Sequence, residues 1–319
     1  MPEAFPTAQE ILDAATQIAP HAHRTPVLTC KTLDDLTGAS LFFKCENFQK
    51  VGAFKFRGAC FTVMSLPDEV AQRGVATHSS GNHAQALALA AKMRGIPAYI
   101  VMPKTAPKVK VAAVRGYGAE ITFCEQNQQA RESTLEMIVE KTGAEFVHPY
   151  NDYRVITGQA TCAKELLDEV ENLDIILSPV GGGGLLSGTA LSAAYFSPST
   201  KVIATEPAGA DDAFRSFRDG QIYPSVKPNT IADGLLTSLG HRTFPVIRQY
   251  VSSVVTVEDE TIIRAMRLIW ERMKIIIEPS CAVPFAAILE KKVDAAGKRI
   301  GIILSGGNVD LDKLPWLAS

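Results

Sequence analysis

Short runs of β-branched and apolar residues alternate along this chain with helix-length segments, and that rhythm limits its possible folds more than any other feature. The runs lie at 41–45, 75–78, 98–102, 120–124, 174–178, 201–205 and 299–304; between most of them come helical patterns such as 82–94, 107–115, 130–141, 158–170 and 184–196. Ile175-Ile176-Leu177 and Ile302-Ile303-Leu304 are apolar without alternation. Strands of that kind belong to parallel sheets covered by helices on both faces, because a face open to water would place a polar residue at every second position. The fold class is therefore α/β, doubly wound. No internal repeat, low-complexity tract or Gly/Ser linker marks a domain boundary.

With 319 residues, 46% hydrophobic and 21% charged, the chain can bury a large core. Its net charge of −2 and pI near 6.3, without a basic block, exclude a nucleic-acid backbone as an expected partner. The start, Met1-Pro2-Glu3-Ala4-Phe5-Pro6, has no basic or apolar signal region, and later apolar segments are interrupted before about 18 residues. A cytoplasmic protein with no membrane partner is expected. Cys30, Cys45, Cys60, Cys124, Cys162 and Cys281 are scattered without C-x-x-C spacing, which fits reduced thiols and argues against a zinc cluster.

The candidate reactive group is Lys55 in Lys50-Val51-Gly52-Ala53-Phe54-Lys55-Phe56-Arg57-Gly58. Two aromatic neighbours and two flanking glycines offer one amine to a ligand from a dry setting, where loss of solvation disfavours the ammonium and leaves a nucleophile able to form a Schiff base. The bland alternative is a snorkelling surface lysine. Three turns at strand ends lie where ligands bind in such folds. Ser79-Ser80-Gly81-Asn82-His83-Ala84 is either an ordinary helix start or an anion site at a helix N-terminus. Gly181-Gly182-Gly183-Gly184 joins an apolar strand to an apolar helix and reads as a backbone cradle for phosphate. It is no dinucleotide fingerprint, since the third position of G-x-G-x-x-G falls on Leu186 or Ser187. Ser305-Gly306-Gly307-Asn308 is either a plain turn or brings a hydroxyl to a heterocyclic nitrogen.

A reactive lysine, a phosphate nest and a hydroxyl for a ring nitrogen are the three handles of pyridoxal 5′-phosphate. The sequence resembles the serine racemase, serine/threonine dehydratase and threo-3-hydroxyaspartate dehydratase group of fold-type II (tryptophan synthase β-like) enzymes. The resemblance runs over nearly the whole chain. It is carried by Phe43-Lys44-Cys45-Glu46-Asn47-Phe48-Gln49, the Lys55 segment, Ser79 to His83, the four glycines, Ile231-Ala232-Asp233-Gly234, Ile277-Glu278-Pro279 and Ser305 to Asn308.

The resemblance implies Lys55 as Schiff-base lysine and α-proton base, Phe54 packing against the cofactor ring, Asn82 bonding its 3′-oxygen, Gly181, Gly182, Gly183 and Gly184 holding its phosphate, and Ser305 its ring nitrogen. Ser79, Ser80, Asn82, His83 and Thr237 are implied on the substrate side, with Ser80 in the place of the racemase acid/base serine. Two domains are implied, a large one of 1–64 and 150–319 and a small one of 65–149. The expected reaction is dehydration of L-serine, L-threonine or L-threo-3-hydroxyaspartate to a 2-oxo acid and ammonia; serine racemisation is the alternative. A non-catalytic α/β ligand-binding protein is the alternative of another class, against which the intact Lys55, Ser305 and glycines argue.

Carboxylates after a strand are usually a solvated loop, yet Glu206, Ala210 and Asp212 resemble the family's site for Mg²⁺, Mn²⁺ or Ca²⁺, with Asp211 leaving the ligand set open. Arg131 is either a solvated charge paired with Glu132 or Glu125, or a grip on a substrate β-carboxylate, since its position resembles one where serine racemases and hydroxyaspartate dehydratases carry arginine. The family further implies a homodimer and ATP as a nucleotide effector. With the chain ending at Ser319, no C-terminal regulatory domain is expected.

Overall fold

Alternate residues of the last strand settle where the layers lie: Ile300, Ile302 and Leu304 join one apolar cluster and Ile303 another, and all are fully buried. The structure, a computed structural model, describes residues 4–317 apart from Ser80, Pro107 and the side chain of Val109. Its strands are β1 Val27–Leu28, β2 Ser40–Cys45, β3 Val75–His78, β4 Ala98–Pro103, β5 Glu120–Cys124, β6 Glu145–Phe146, β7 Ile175–Pro179, β8 Lys201–Pro207, β9 Ser253–Val257 and β10 Arg299–Leu304. They form two open sheets, β1-β2-β10-β7-β8-β9 and β5-β4-β3-β6. The β1–β2 pair is antiparallel and the other described pairs are parallel.

One face of the larger sheet packs on helices Asp259–Met273 and Pro279–Leu289, the other on Tyr153–Glu169 and Gly184–Phe196. The smaller sheet repeats this design. Val75, Ile100 and Met102 face Leu87 of helix Asn82–Arg94, while Ala76 and Val101 face Leu135 of helix Gln128–Thr142. Among the described residues no helix is long and apolar enough to cross a membrane.

The seven expected runs all lie on strands, with ends shifted by a residue or two at most of them. Strands β1 and β6, of two residues each, are too short to leave a pattern, whereas β9 is β-branched along most of its length and extends the sheet beyond the expected set. Helix Tyr153–Glu169 begins earlier than the expected 158 because Asp152 caps it, its side chain accepting from the Arg154 amide.

Glycines decide how the helices meet. A Cβ on Gly158 would stand 2.6 Å from the Cα of Gly58, and one on Gly188 would stand 2.6 Å from the Ala160 nitrogen. Helices Lys55–Ser65, Tyr153–Glu169 and Gly184–Phe196 therefore cross nearly backbone to backbone. Gly58 serves this crossing rather than the approach of a ligand. Gly52, at φ +69°, makes room for Asn308, whose Oδ1 would lie 2.8 Å from an added Cβ.

Candidate active site

Lys55 opens helix Lys55–Ser65 and is fixed there by the loop after β10. Ala53 bridges to Gly306, the Phe54 amide donates to the Ser305 carbonyl at 2.9 Å, and the Gly307 amide to Gly52 at 2.9 Å. Phe56 turns into the core, fully buried, while the Phe54 ring lies 5.1 Å from the Lys55 amine. The amine donates to the Pro149 carbonyl at 2.7 Å and, among the described residues, pairs with no carboxylate. Burial lowers its pKa to about 8, so a useful fraction is neutral near physiological pH.

Lys55 lines a cavity of about 900 Å³ shared with Phe54, Ser79, Asn82, His83, Arg131, Gly181, Gly182, Gly183, Gly184, Thr237 and Ser305. The sequence-predicted residues of the cofactor and substrate groups thus meet in one place, drawn from both sheets' strand ends. Ser80 lies outside the described residues.

The four glycines turn from β7 into helix Gly184–Phe196, with Gly183 at φ +89°. A Cβ on Gly182 would stand 2.3 Å from the Tyr150 ring and one on Gly181 3.0 Å from the Leu235 Cα, so Tyr150 and Leu235 close on the turn too tightly for side chains there. Amides at the N-terminus of a 13-residue helix, where the first N–H groups have no partner within the helix, suit a phosphate. Ser305 is 3% exposed, and its hydroxyl stands 3.5 Å from the Cys281 sulfur. That thiol donates to the Gly306 carbonyl at 2.6 Å and accepts from the Gly306 amide at 2.8 Å, which pins the loop.

Asn82 opens its helix and links the two sheets. Its Nδ2 donates to the Glu278 carboxylate at 3.1 and 3.3 Å, and its Oδ1 accepts from Asn308 Nδ2 at 2.9 Å. Asn308 also donates to the Val51 carbonyl at 2.7 Å. Burial, with Asp233 adding to it, raises Glu278 to about 7.

His83 and His148 are neutral. The Nε2 of His83 donates to the Val147 carbonyl at 3.1 Å, leaving Nδ1 buried without a partner, and burial together with Lys55 holds its pKa near 3. The Nδ1 of His148 accepts from the Asn151 and Tyr150 amides at 2.9 and 3.3 Å. Burial, then His78 and Lys55, lowers its pKa to about 4. His148, Tyr150 and Glu278 line the cavity too, and sequence reasoning gave none of them a role.

Arg131 is half-buried on helix Gln128–Thr142, its Nε buried without a hydrogen-bond partner. Neither pairing expected of a solvated charge is formed among the described residues: Glu132 accepts from Gln128 and Glu125 pairs with Lys104.

Away from the cavity, Glu206 accepts from the Ala213 and Phe214 amides at 2.9 and 2.8 Å, while both carboxylate oxygens of Asp212 are buried and make no well-formed hydrogen bond among the described residues. Burial raises Glu206 to about 9 and, against the weaker pull of the Ser225 hydroxyl and Arg215, Asp212 to about 6. Asp211 instead pairs with Arg215 at 2.8 Å. No group of three or more His, Cys, Asp or Glu suited to a metal occurs among the described residues, so a cation here would need a carbonyl such as that of Ala210.

An amine of lowered pKa with no carboxylate partner among the described residues, four glycines at a helix N-terminus and a hydroxyl in the same cavity fit pyridoxal phosphate: Lys55 would hold its aldehyde carbon, the glycine amides its phosphate and Ser305 its ring nitrogen. Comparisons with known proteins agree. The chain is 53% identical over 312 residues to the beta-hydroxyaspartate dehydratase of Paracoccus denitrificans (strain Pd 1222), covering 98% of this chain and 99% of the relative. It is 48% identical over 315 residues to the L-threo-3-hydroxyaspartate ammonia-lyase of Saccharomyces cerevisiae, covering 98% and 97%. The crystal structure of serine racemase from Dictyostelium discoideum superposes with a TM-score of 0.93 at 50% identity, covering 97% of this chain and all of that one. The pyridoxal-phosphate dependent enzyme family matches residues 18–306, and the chain belongs to it.

Proposed function

We propose that the protein eliminates water from small 3-hydroxyamino acids, with L-threo-3-hydroxyaspartate favoured over L-serine and L-threonine, and that the released enamine takes up water again to give a 2-oxo acid and ammonia. The observation that carries this reading is Arg131, a half-buried guanidinium in the cavity that holds Lys55, with no ion pair among the described residues and its Nε buried without a hydrogen-bond partner. A buried polar group left unpaired is costly, and a substrate β-carboxylate would supply a partner through two parallel hydrogen bonds. Relatives named for hydroxyaspartate support the same substrate class.

When bound, pyridoxal phosphate takes up the electron pair left on Cα. The chain's residues do the rest. Lys55, with its lowered pKa, takes the Cα proton. Amides at the start of helix Asn82–Arg94 hold the α-carboxylate, and Thr237 lines the same cavity.

Serine racemisation is a second reading, favoured by the likeness to the Dictyostelium serine racemase; Ser80 would then move the proton on the face opposite Lys55. Glu206, the Ala210 carbonyl and Asp212 are proposed to hold Mg²⁺ or a similar cation, supported by the buried Asp212 oxygens, which make no well-formed hydrogen bond among the described residues. The small domain is proposed to span 65–149, supported by β3 to β6 forming their own sheet. A homodimer and ATP as effector are carried over from the resemblance alone, and a cytoplasmic location is proposed from the sequence, whose scattered cysteines fit reduced thiols.

The test is Arg131→Ala. We expect it to cost L-threo-3-hydroxyaspartate about 2 kcal/mol in kcat/KM, roughly thirtyfold, and to leave L-serine nearly unchanged. Equal losses on both substrates, or a wild type that strongly prefers L-threonine, would overturn the dicarboxylate reading.

A further inference from the structure

We propose that His148 binds the β-hydroxyl of the substrate through its Nε2–H and thereby selects amino acids that carry an oxygen on Cβ. This rests on the dehydratase reading above.

The tautomer comes first. Two backbone amides, those of Asn151 and Tyr150, donate to Nδ1 at 2.9 and 3.3 Å. A ring nitrogen that accepts carries no proton, so the neutral ring holds its proton on Nε2. With the pKa lowered to about 4, chiefly by burial, this donor persists across the working pH range.

The second observation is that Nε2 is free. It makes no hydrogen bond among the described residues, and it is absent from the fully buried partnerless atoms, so it has accessible surface on a ring that lines the cavity. The opposite edge is tied to the backbone, which leaves Nε2 on the cavity side.

Position gives the ligand. The next residue, Pro149, receives the Lys55 amine on its carbonyl at 2.7 Å. The His78 ring lies 6.5 Å from that of His148, centroid to centroid, and His78 in turn stands in the field of Arg131 and Glu132. His148 therefore directly precedes the residue whose carbonyl holds the amine acting at Cα, and is one ring removed from the guanidinium offered to a distal carboxylate. On this proposal Cβ, the atom between Cα and that carboxylate, is the one His148 serves. A neutral imidazole there donates a hydrogen bond to the hydroxyl and keeps its own proton, so it holds the leaving oxygen in place without acting as an acid.

The experiment is His148→Asn in the holoenzyme. The Asn Oδ1 keeps an acceptor for the amides two and three residues on, as in an Asx turn, while the donor on the cavity side is lost. We compare kcat/KM for L-serine, L-threo-3-hydroxyaspartate and β-chloro-L-alanine, whose leaving group needs no such donor. The hydroxyl substrates should fall about tenfold or more while chloroalanine stays within about twofold. The visible band of the bound cofactor and the melting temperature should not move. Equal falls on all three substrates, or none, would overturn the role. A wild type inert toward both hydroxyamino acids but active on chloroalanine would instead sink the dehydratase reading and remove the ligand of His148 with it. If the variant loses the cofactor band, ¹⁵N NMR of the histidine-labelled wild type decides: a proton on Nδ1, or ring protonation between pH 6 and 9, overturns the proposal.

Discussion

Lys55 should make the apoprotein less stable than it could be, and replacing it with methionine should reveal by how much. The ammonium has one carbonyl partner and an aromatic face, but no carboxylate among the described residues, and burial lowers its pKa from 10.5 to about 8. At about 1.36 kcal/mol per pKa unit, that depression sets a ceiling of roughly 3 kcal/mol on the cost of keeping the charge in the folded state. Water in the cavity returns part of it, so about 1–2 kcal/mol is expected. The sign follows from proton counts. Below pH 8 both folded and unfolded chains carry the proton and the folded state bears the whole cost. Between 8 and 10.5 the unfolded chain binds more protons, so stability rises with pH; above 10.5 neither is charged and the cost is gone. Methionine has a similar reach and no charge. In urea unfolding of the two apoproteins followed by circular dichroism, Lys55→Met should be the more stable at pH 7, and its advantage should shrink by pH 9.5. A variant less stable than wild type, or an advantage constant with pH, would refute the account of the amine as a desolvated, uncompensated charge.

Removing divalent cations with EDTA should lower the melting temperature and adding Mg²⁺ should restore it, since a ligand at about 100 times its dissociation constant adds about 2.7 kcal/mol to the folded state. Asp212→Ala should respond to neither, and a wild type whose melting temperature ignores both treatments would remove the cation proposal. Ser80→Ala should abolish racemisation in both directions, followed by chiral chromatography, while L-serine dehydration survives in large part. A parallel loss of dehydration would make Ser80 a structural residue.

Much of this site was legible because its parts are local. The four glycines, Ser305 and the Ser79 loop each follow a strand whose apolar run is visible in sequence, and the rule that ligands bind at strand ends supplies the rest. His148 was not legible, because Glu145-Phe146-Val147-His148-Pro149 matches no motif. Its meaning depends on Lys55, 94 residues from the Pro149 carbonyl it reaches. Asn308 escaped for the same reason: its partners Val51 and Asn82 are 257 and 226 residues away. The glycines of the Lys55 segment were misjudged in purpose, since one accommodates Asn308 and the other a crossing helix. A glycine announces a close approach in sequence, but its partner is known only once the chain has folded.

Burial alone does not make Lys55 reactive, as its neighbour two residues on demonstrates. Arg57 lies on the same helix and is fully buried. It donates to Glu46 at 2.7 and 2.8 Å and to Glu165 through two nitrogens at 2.7 Å. Lys44 donates to Glu165 and to the Thr25 carbonyl, each at 2.7 Å. Two cations and two carboxylates thus balance in a closed network. Burial works against the charge on Arg57 too, but Glu46 and Glu165 overcome it and raise its pKa well above the ordinary value. Removing one partner from such a network leaves an uncompensated charge, at a cost of about 3–5 kcal/mol. The same turn of helix therefore carries one cation held charged by its carboxylates and one pushed toward neutrality by their absence. The first anchors the helix to the turn after β2 and to helix Tyr153–Glu169, so that the second meets the cavity in a fixed place. What separates an anchor from a nucleophile here is the placement of Glu46 and Glu165 on the side of the helix away from the ligand.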